Sequence, residues 1–94
     1  MLVWSREAVD DLASLRAAIA EDSPKAAQRM ALRIVAAVES IVPDNPLAGR
    51  PGRVPGTREL VIAGTPYIVP YRLRDGETQI LRVFHGARRW PQSF

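Results

Sequence analysis

The 94-residue chain has no cysteine. That excludes disulfides, thiolate nucleophiles and Cys-based zinc sites, and it suits a reducing cytoplasm. His85 is the only histidine, so the ordinary His and Cys ligand sets for a metal are missing too. No metal and no cofactor are expected. Lysine is equally scarce: of thirteen basic side chains only Lys25 is lysine, and the others are arginine. Aromatic residues are few, with two each of Trp, Tyr and Phe. No apolar run approaches the roughly 18 residues of a membrane span. Met1-Leu2-Val3-Trp4 lacks a charged start followed by a long apolar stretch, so no signal peptide is expected.

What is present describes one small soluble domain spanning residues 1–94, with 47% apolar and 24% charged residues. So short a chain buries only about 60–65% of its unfolded surface, which leaves room for stability gained from a partner. Charge is unevenly placed. Residues 1–47 carry net −2 and residues 48–94 carry net +5. Arginine forks pair with phosphate or carboxylate in two points. The second half therefore suits a polyanionic or acidic partner.

Met1 to Trp4 reads as a short edge or pairing strand. Ser5 is a good N-cap, and Glu7 sits in the first turn, where the helix dipole favours it. Val9, Leu12, Leu15 and Ile19 then recur at helical spacing, up to a stop near Glu21-Asp22. Ser23-Pro24 starts a second helix, with Ser as cap and Pro at the first helical position. Its stripe is Ala27, Met30, Ala31, Ile34, Val38 and Ile41, and Pro43 ends it. Four prolines and three glycines make Pro43 to Gly56 irregular, an ordered loop with Leu47 and Val54 to pin it.

Three strands follow. Thr57 to Ile62 is the first, and Ala63-Gly64-Thr65-Pro66 is its turn. The second is Tyr67 to Leu73, with Tyr67, Val69, Tyr71 and Leu73 on one face. Asp75-Gly76 signals a hairpin into the third, Thr78 to His85. Pro70 lies inside a strand and predicts an irregularity there. The order β-α-α-β-β-β is an α+β fold: a two-helix hairpin packed on one face of a small, mainly antiparallel sheet. The other face is left open, with the basic tail beside it.

At this point the residues resemble a family. Ile80-Leu81-Arg82-Val83-Phe84-His85-Gly86-Ala87-Arg88-Arg89-Trp90-Pro91 is similar to the closing strand and tail of RelE/ParE superfamily toxins of type II toxin–antitoxin systems. Gly49-Arg50-Pro51-Gly52-Arg53 with Thr57-Arg58-Glu59-Leu60 resembles their loop and second strand. Tyr67-Ile68-Val69-Pro70-Tyr71-Arg72 resembles their third. The resemblance implies a toxin held inactive in a hetero-oligomer with a cognate antitoxin protein. It has two branches. One cleaves messenger RNA at the ribosome, and the other, ParE, poisons DNA gyrase.

In the RNase branch the resemblance assigns Arg53 or Arg58 to the loop before the second strand and Arg88 to the position after the last strand, with His85 as an acid or base. Cleavage by the 2′-OH needs such a base, an acid and cations around the phosphorane. The branch also has an arginine where this chain has Ile68, and a tail tyrosine near Phe94. Those two departures favour the ParE branch. A basic binding module without toxicity is the third reading.

The candidate target-binding residues are Arg50, Arg53, Arg58, Arg82, Arg88, Arg89 and Trp90. The last three combine cations with an aromatic stacker, as single-stranded nucleic-acid sites do. They also suit acidic antitoxin residues, or a solvated tail whose Trp packs on the domain. Arg50, Arg53 and Arg58 are expected to form a patch with Arg82. Asp10 and Asp11 read as solvated helix surface, since adjacent helix residues diverge. Tyr67 and Tyr71 read as core.

Overall fold

Both helix starts follow from their caps. Ser5 is extended, and its Oγ accepts the Ala8 N–H at 3.0 Å. Ser23 does the same for Ala26 at 3.1 Å, with Pro24 directly after it. In the computed structural model, which describes residues 1–94, the elements run β1 (Leu2–Trp4), α1 (Arg6–Ala20), α2 (Pro24–Ile41), β2 (Arg50–Pro51), β3 (Arg58–Val61), β4 (Tyr67–Arg74), β5 (Glu77–Ile80) and β6 (Phe84–His85). The expected α+β order is present, with the last strand split into β5 and β6 and a short additional strand, β2, inside the segment read as a loop. No helix is long and apolar enough to cross a membrane.

The sheet order is β1-β5-β4-β3-β2, with β6 also paired to β4. All pairs are antiparallel except β1 with β5. The β4–β5 hairpin turns on Asp75 (φ 53°) and Gly76 (φ 76°), the two left-handed residues of a tight primed turn.

Helices and sheet meet in one core. Ala8, Ile34, Val38 and Val42 pack against Leu60, Ile62, Val69, Tyr71, Ile80 and Val83. The core corrects three sequence expectations. Val9 is 51% exposed, and Ala8 takes the buried position one residue earlier, followed by Leu12 and Leu15. At the end of α2, Ile41 is exposed and Val42 is buried instead. In the loop, Val54 is buried but Leu47 is 63% exposed. The loop is held from below by Tyr71, whose hydroxyl donates to the Pro46 carbonyl at 2.7 Å and accepts the Gly49 N–H at 2.9 Å. A Cβ on Gly49 would lie 2.7 Å from that ring, so the close approach requires glycine.

The last strand is not continuous from Thr78 to His85. Pairing joins Tyr71 to Ile80 and then Ile68 to Phe84, so three residues on one side face two on the other. This is a β-bulge at Leu81–Val83. Its cause is Pro70. The Leu81 N–H donates to the Pro70 carbonyl at 2.9 Å, but proline has no N–H to return on that edge. The irregularity expected at Pro70 therefore falls on its partner strand.

Candidate functional site

Register decides which side chains share the face away from the helices. Val69 and Tyr71 point into the helix-side core, so Ile68 and Pro70 point the other way. Glu59 is opposite Pro70, Arg50 is opposite Glu59, and Phe84 is opposite Ile68. Arg50, Glu59 and Phe84 thus stand on one face without any contact in sequence.

Glu59 is the centre of that face. It is 2% exposed, a carboxylate placed where an apolar residue usually sits. Oε1 accepts Arg50 Nε at 3.1 Å and Nη2 at 3.0 Å. Oε2 accepts the Arg53 backbone N–H at 2.8 Å and Arg53 Nε at 3.2 Å. Arg53 Nη2 also reaches Oε1, at 3.4 Å. Burial pushes the carboxyl's pKa up, but the Arg53 N–H and the two guanidinium groups outweigh it and hold it below its ordinary value. The arginines keep 52% and 43% of their side-chain surface, so the cluster presents a net positive charge outward from a buried anchor.

An aromatic–cation stack continues from it. The Arg53 guanidinium lies 3.8 Å from the Trp90 ring centroid. Trp90 meets Phe84 edge-on at 4.9 Å, and Phe94 stacks on Phe84 at 6.2 Å. Arg82 and Arg88 lie 4.6 and 4.5 Å from the Phe84 centroid. The tail therefore folds back onto the face that the sequence left open, and Phe84 is 1% exposed beneath it.

The expected patch of Arg50, Arg53, Arg58 and Arg82 is divided. Arg50 and Arg53 share Glu59. Arg58 is opposite Tyr71, on the helix side, and donates to the Gly49 carbonyl at 2.7 Å. Arg82 pairs with Asp11 and meets the face through its contact with Phe84. Arg88 joins the stack, and Arg89 is exposed beside it. His85 is opposite Tyr67, with ring centroids 5.9 Å apart, on the face opposite Phe84. Its Nδ1 accepts the Ala87 N–H at 3.1 Å. Nowhere do three His, Cys, Asp or Glu side chains converge as a metal would require.

Two carboxylates were missed in the sequence. Asp11 is not solvated surface: it receives Arg82 in two points and the Val83 N–H at 3.0 Å, fastening α1 to the bulge. Glu59 stood in the sequence only as a member of the first of the three strands. The only local hint was its place directly after Arg58 and six residues after Arg53, in a segment rich in arginine.

Comparison with known proteins gives one consistent result. A family model described as the ParE toxin of the type II toxin–antitoxin system parDE matches residues 2–90. A protein named putative toxin Y4kP, from Sinorhizobium fredii, is 44% identical over 89 residues, covering 95% of this chain and 91% of the relative. One named toxin RelE2, from Caulobacter vibrioides, is 41% identical over 87 residues, covering 93% and 96%. A solved structure of the chromosomal ParDE toxin–antitoxin system from P. aeruginosa superposes with a TM-score of 0.77 at 32% identity, covering 89% and 92%.

Proposed function

The chain belongs to the ParE toxin family of type II toxin–antitoxin systems, and from that membership we propose that it acts in the cytoplasm by binding DNA gyrase and is silenced by a cognate antitoxin. The observation that carries the gyrase reading is the separation of His85 from the arginine cluster by the sheet itself. A ribonuclease needs its acid or base and its phosphorane-stabilising cations around one phosphate. Here Arg50 and Arg53 are turned onto Glu59, Arg58 onto the loop carbonyl, and His85 onto the other face. Ile68, where RNase relatives carry an arginine, is buried opposite Phe84.

What supports binding is the composition of the face. Arg53, Trp90 and Arg88 combine large rigid aromatic area with exposed cations, one of them fixed by Glu59, the residue types that dominate interface energetics. An acidic or phosphate-bearing partner complements them. The same face, with its net positive second half, suits acidic antitoxin side chains, so one partner would exclude the other.

The test uses the purified protein with gyrase and supercoiled DNA, and in parallel with programmed ribosomes. Stalled gyrase–DNA cleavage complexes with intact message are the expected outcome. Message cut at the ribosomal A site, with gyrase unaffected, contradicts the reading and supports the RNase alternative.

A further inference from the structure

Trp90 has an unusual attachment. Its indole N–H is buried without an acceptor, and its backbone N–H makes no hydrogen bond. It is held by contacts alone: the Phe84 edge on one side and the Arg53 guanidinium 3.8 Å from its ring on the other. Arg53 is itself a loop residue, and a free arginine samples many rotamers. Three hydrogen bonds to one carboxylate, from N, Nε and Nη2, select one of them.

We infer that Glu59 is a positioning residue for the target-binding face: its buried carboxylate sets the Arg53 guanidinium, and that guanidinium holds Trp90 on the sheet. The inference rests on the reading of this face as the target-binding one. Glu59 itself is 2% exposed and cannot touch a macromolecular target. Its effect passes through two side chains that can. It also fixes Arg50 in the same stroke, so one carboxylate orders two guanidinium groups and, at one remove, an indole. Glutamine at 59 has the same shape but offers one acceptor oxygen and one NH₂. The amide nitrogen would then face the N–H groups that now donate to the carboxylate. Arg53 would lose its template, and Trp90 its cover.

The experiment makes Trp90 the only tryptophan by building every variant in a Trp4→Phe background, with excitation at the red edge of the absorption band, where Tyr67 and Tyr71 do not absorb. Glu59→Gln is compared with its parent for thermal melting, Trp90 emission and acrylamide quenching, and gyrase inhibition. The expected result is a folded protein whose Trp90 emission shifts to the red and quenches more readily, with inhibition weakened by about tenfold, the loss of one anchor. A folded Glu59→Gln protein with unchanged Trp90 emission overturns the inference. Should Glu59→Gln fail to fold, Arg53→Met decides. It leaves the Glu59–Arg50 pair intact, and it must release Trp90. An unmoved Trp90 there overturns the inference equally. The emission signal does not depend on the target, so a parent protein that ignores gyrase sinks the functional reading while leaving this one standing or falling by fluorescence.

Discussion

Asp11 and Arg82 are 71 residues apart and meet in a two-point ion pair, Nε to Oδ2 at 2.7 Å and Nη2 to Oδ1 at 2.9 Å. The same carboxylate takes the Val83 N–H at 3.0 Å, so it occupies the gap that the Pro70-induced bulge leaves in the ladder. Donation to the Asp11 carboxylate raises the Arg82 pKa against the opposing effect of burial. Asp11→Ala removes acceptors from a part-buried cation and a backbone donor together. It should lower stability by about 2 kcal/mol, read from urea denaturation. A midpoint identical to the parent would show that the pair is ornamental.

The Tyr71 hydroxyl ties Pro46 and Gly49 to the sheet. Tyr71→Phe keeps the ring in the core and removes both bonds, leaving the buried Gly49 N–H unsatisfied. A loss of about 1–3 kcal/mol is expected. Hydrogen exchange at Gly49 should accelerate more than exchange in α2, and uniform acceleration would contradict a local role.

The folded pKa of Glu59 is held below its ordinary value of 4.5. A carboxyl of this kind adds stability that is fully present above its unfolded pKa and is lost as pH falls through the folded one. The parent should therefore lose stability below about pH 4.5, and Glu59→Gln should lose less over the same range. Equal acid slopes in chemical denaturation, from pH 6 downward, would remove Glu59 from that account.

The two residues that compete for the α1 stripe separate cleanly. Ala8 is 0% exposed and Val9 is 51% exposed. Ala8→Asp should unfold the protein by burying an unpaired charge, whereas Val9→Asp should change stability by less than about 0.5 kcal/mol. Ile34→Asp belongs with Ala8→Asp, since Ile34 is also 0% exposed. Thermal melting distinguishes them, and a normal melt for Ile34→Asp would displace α2 from the core.

Local features were legible in the sequence. Ser5, Ser23-Pro24 and Asp75-Gly76 act through neighbours within four residues, and all three formed as read. The fold class followed from them and from the strand alternation. The phase of α1 was not legible, because Leu12 and Leu15 accept either Ala8 or Val9 as their companion at helical spacing. The break in the last strand was half legible: Pro70 announced it, but a missing N–H is felt by the partner strand. Glu59 and Asp11 were opaque for the same reason as the broken arginine patch. Their partners come from other elements, and only register and the folded loop bring them together. Trp90 and Arg88 were singled out by residue type alone, while the aromatic floor at Phe84 that unites them was not seen.

Arg88 contacts Phe84 from an exposed tail and forms no ion pair. Arg88→Ala should leave the melting temperature within about 2 °C of the parent, a surface-level change. It should reduce growth arrest on expression in a host lacking the antitoxin. A variant as toxic as the parent at equal protein level would take Arg88 out of the target-binding face.

The central claim is that the face carrying Arg53, Trp90 and Arg88 engages the target. Binding of immobilised gyrase by the parent, by Arg53→Glu and by Val9→Glu, the last on exposed helix surface across the molecule, tests it most directly. Arg53→Glu should weaken binding at least tenfold, about 1.4 kcal/mol or more, while Val9→Glu binds as the parent does. Equal binding by parent and Arg53→Glu, or loss confined to Val9→Glu, would contradict the account.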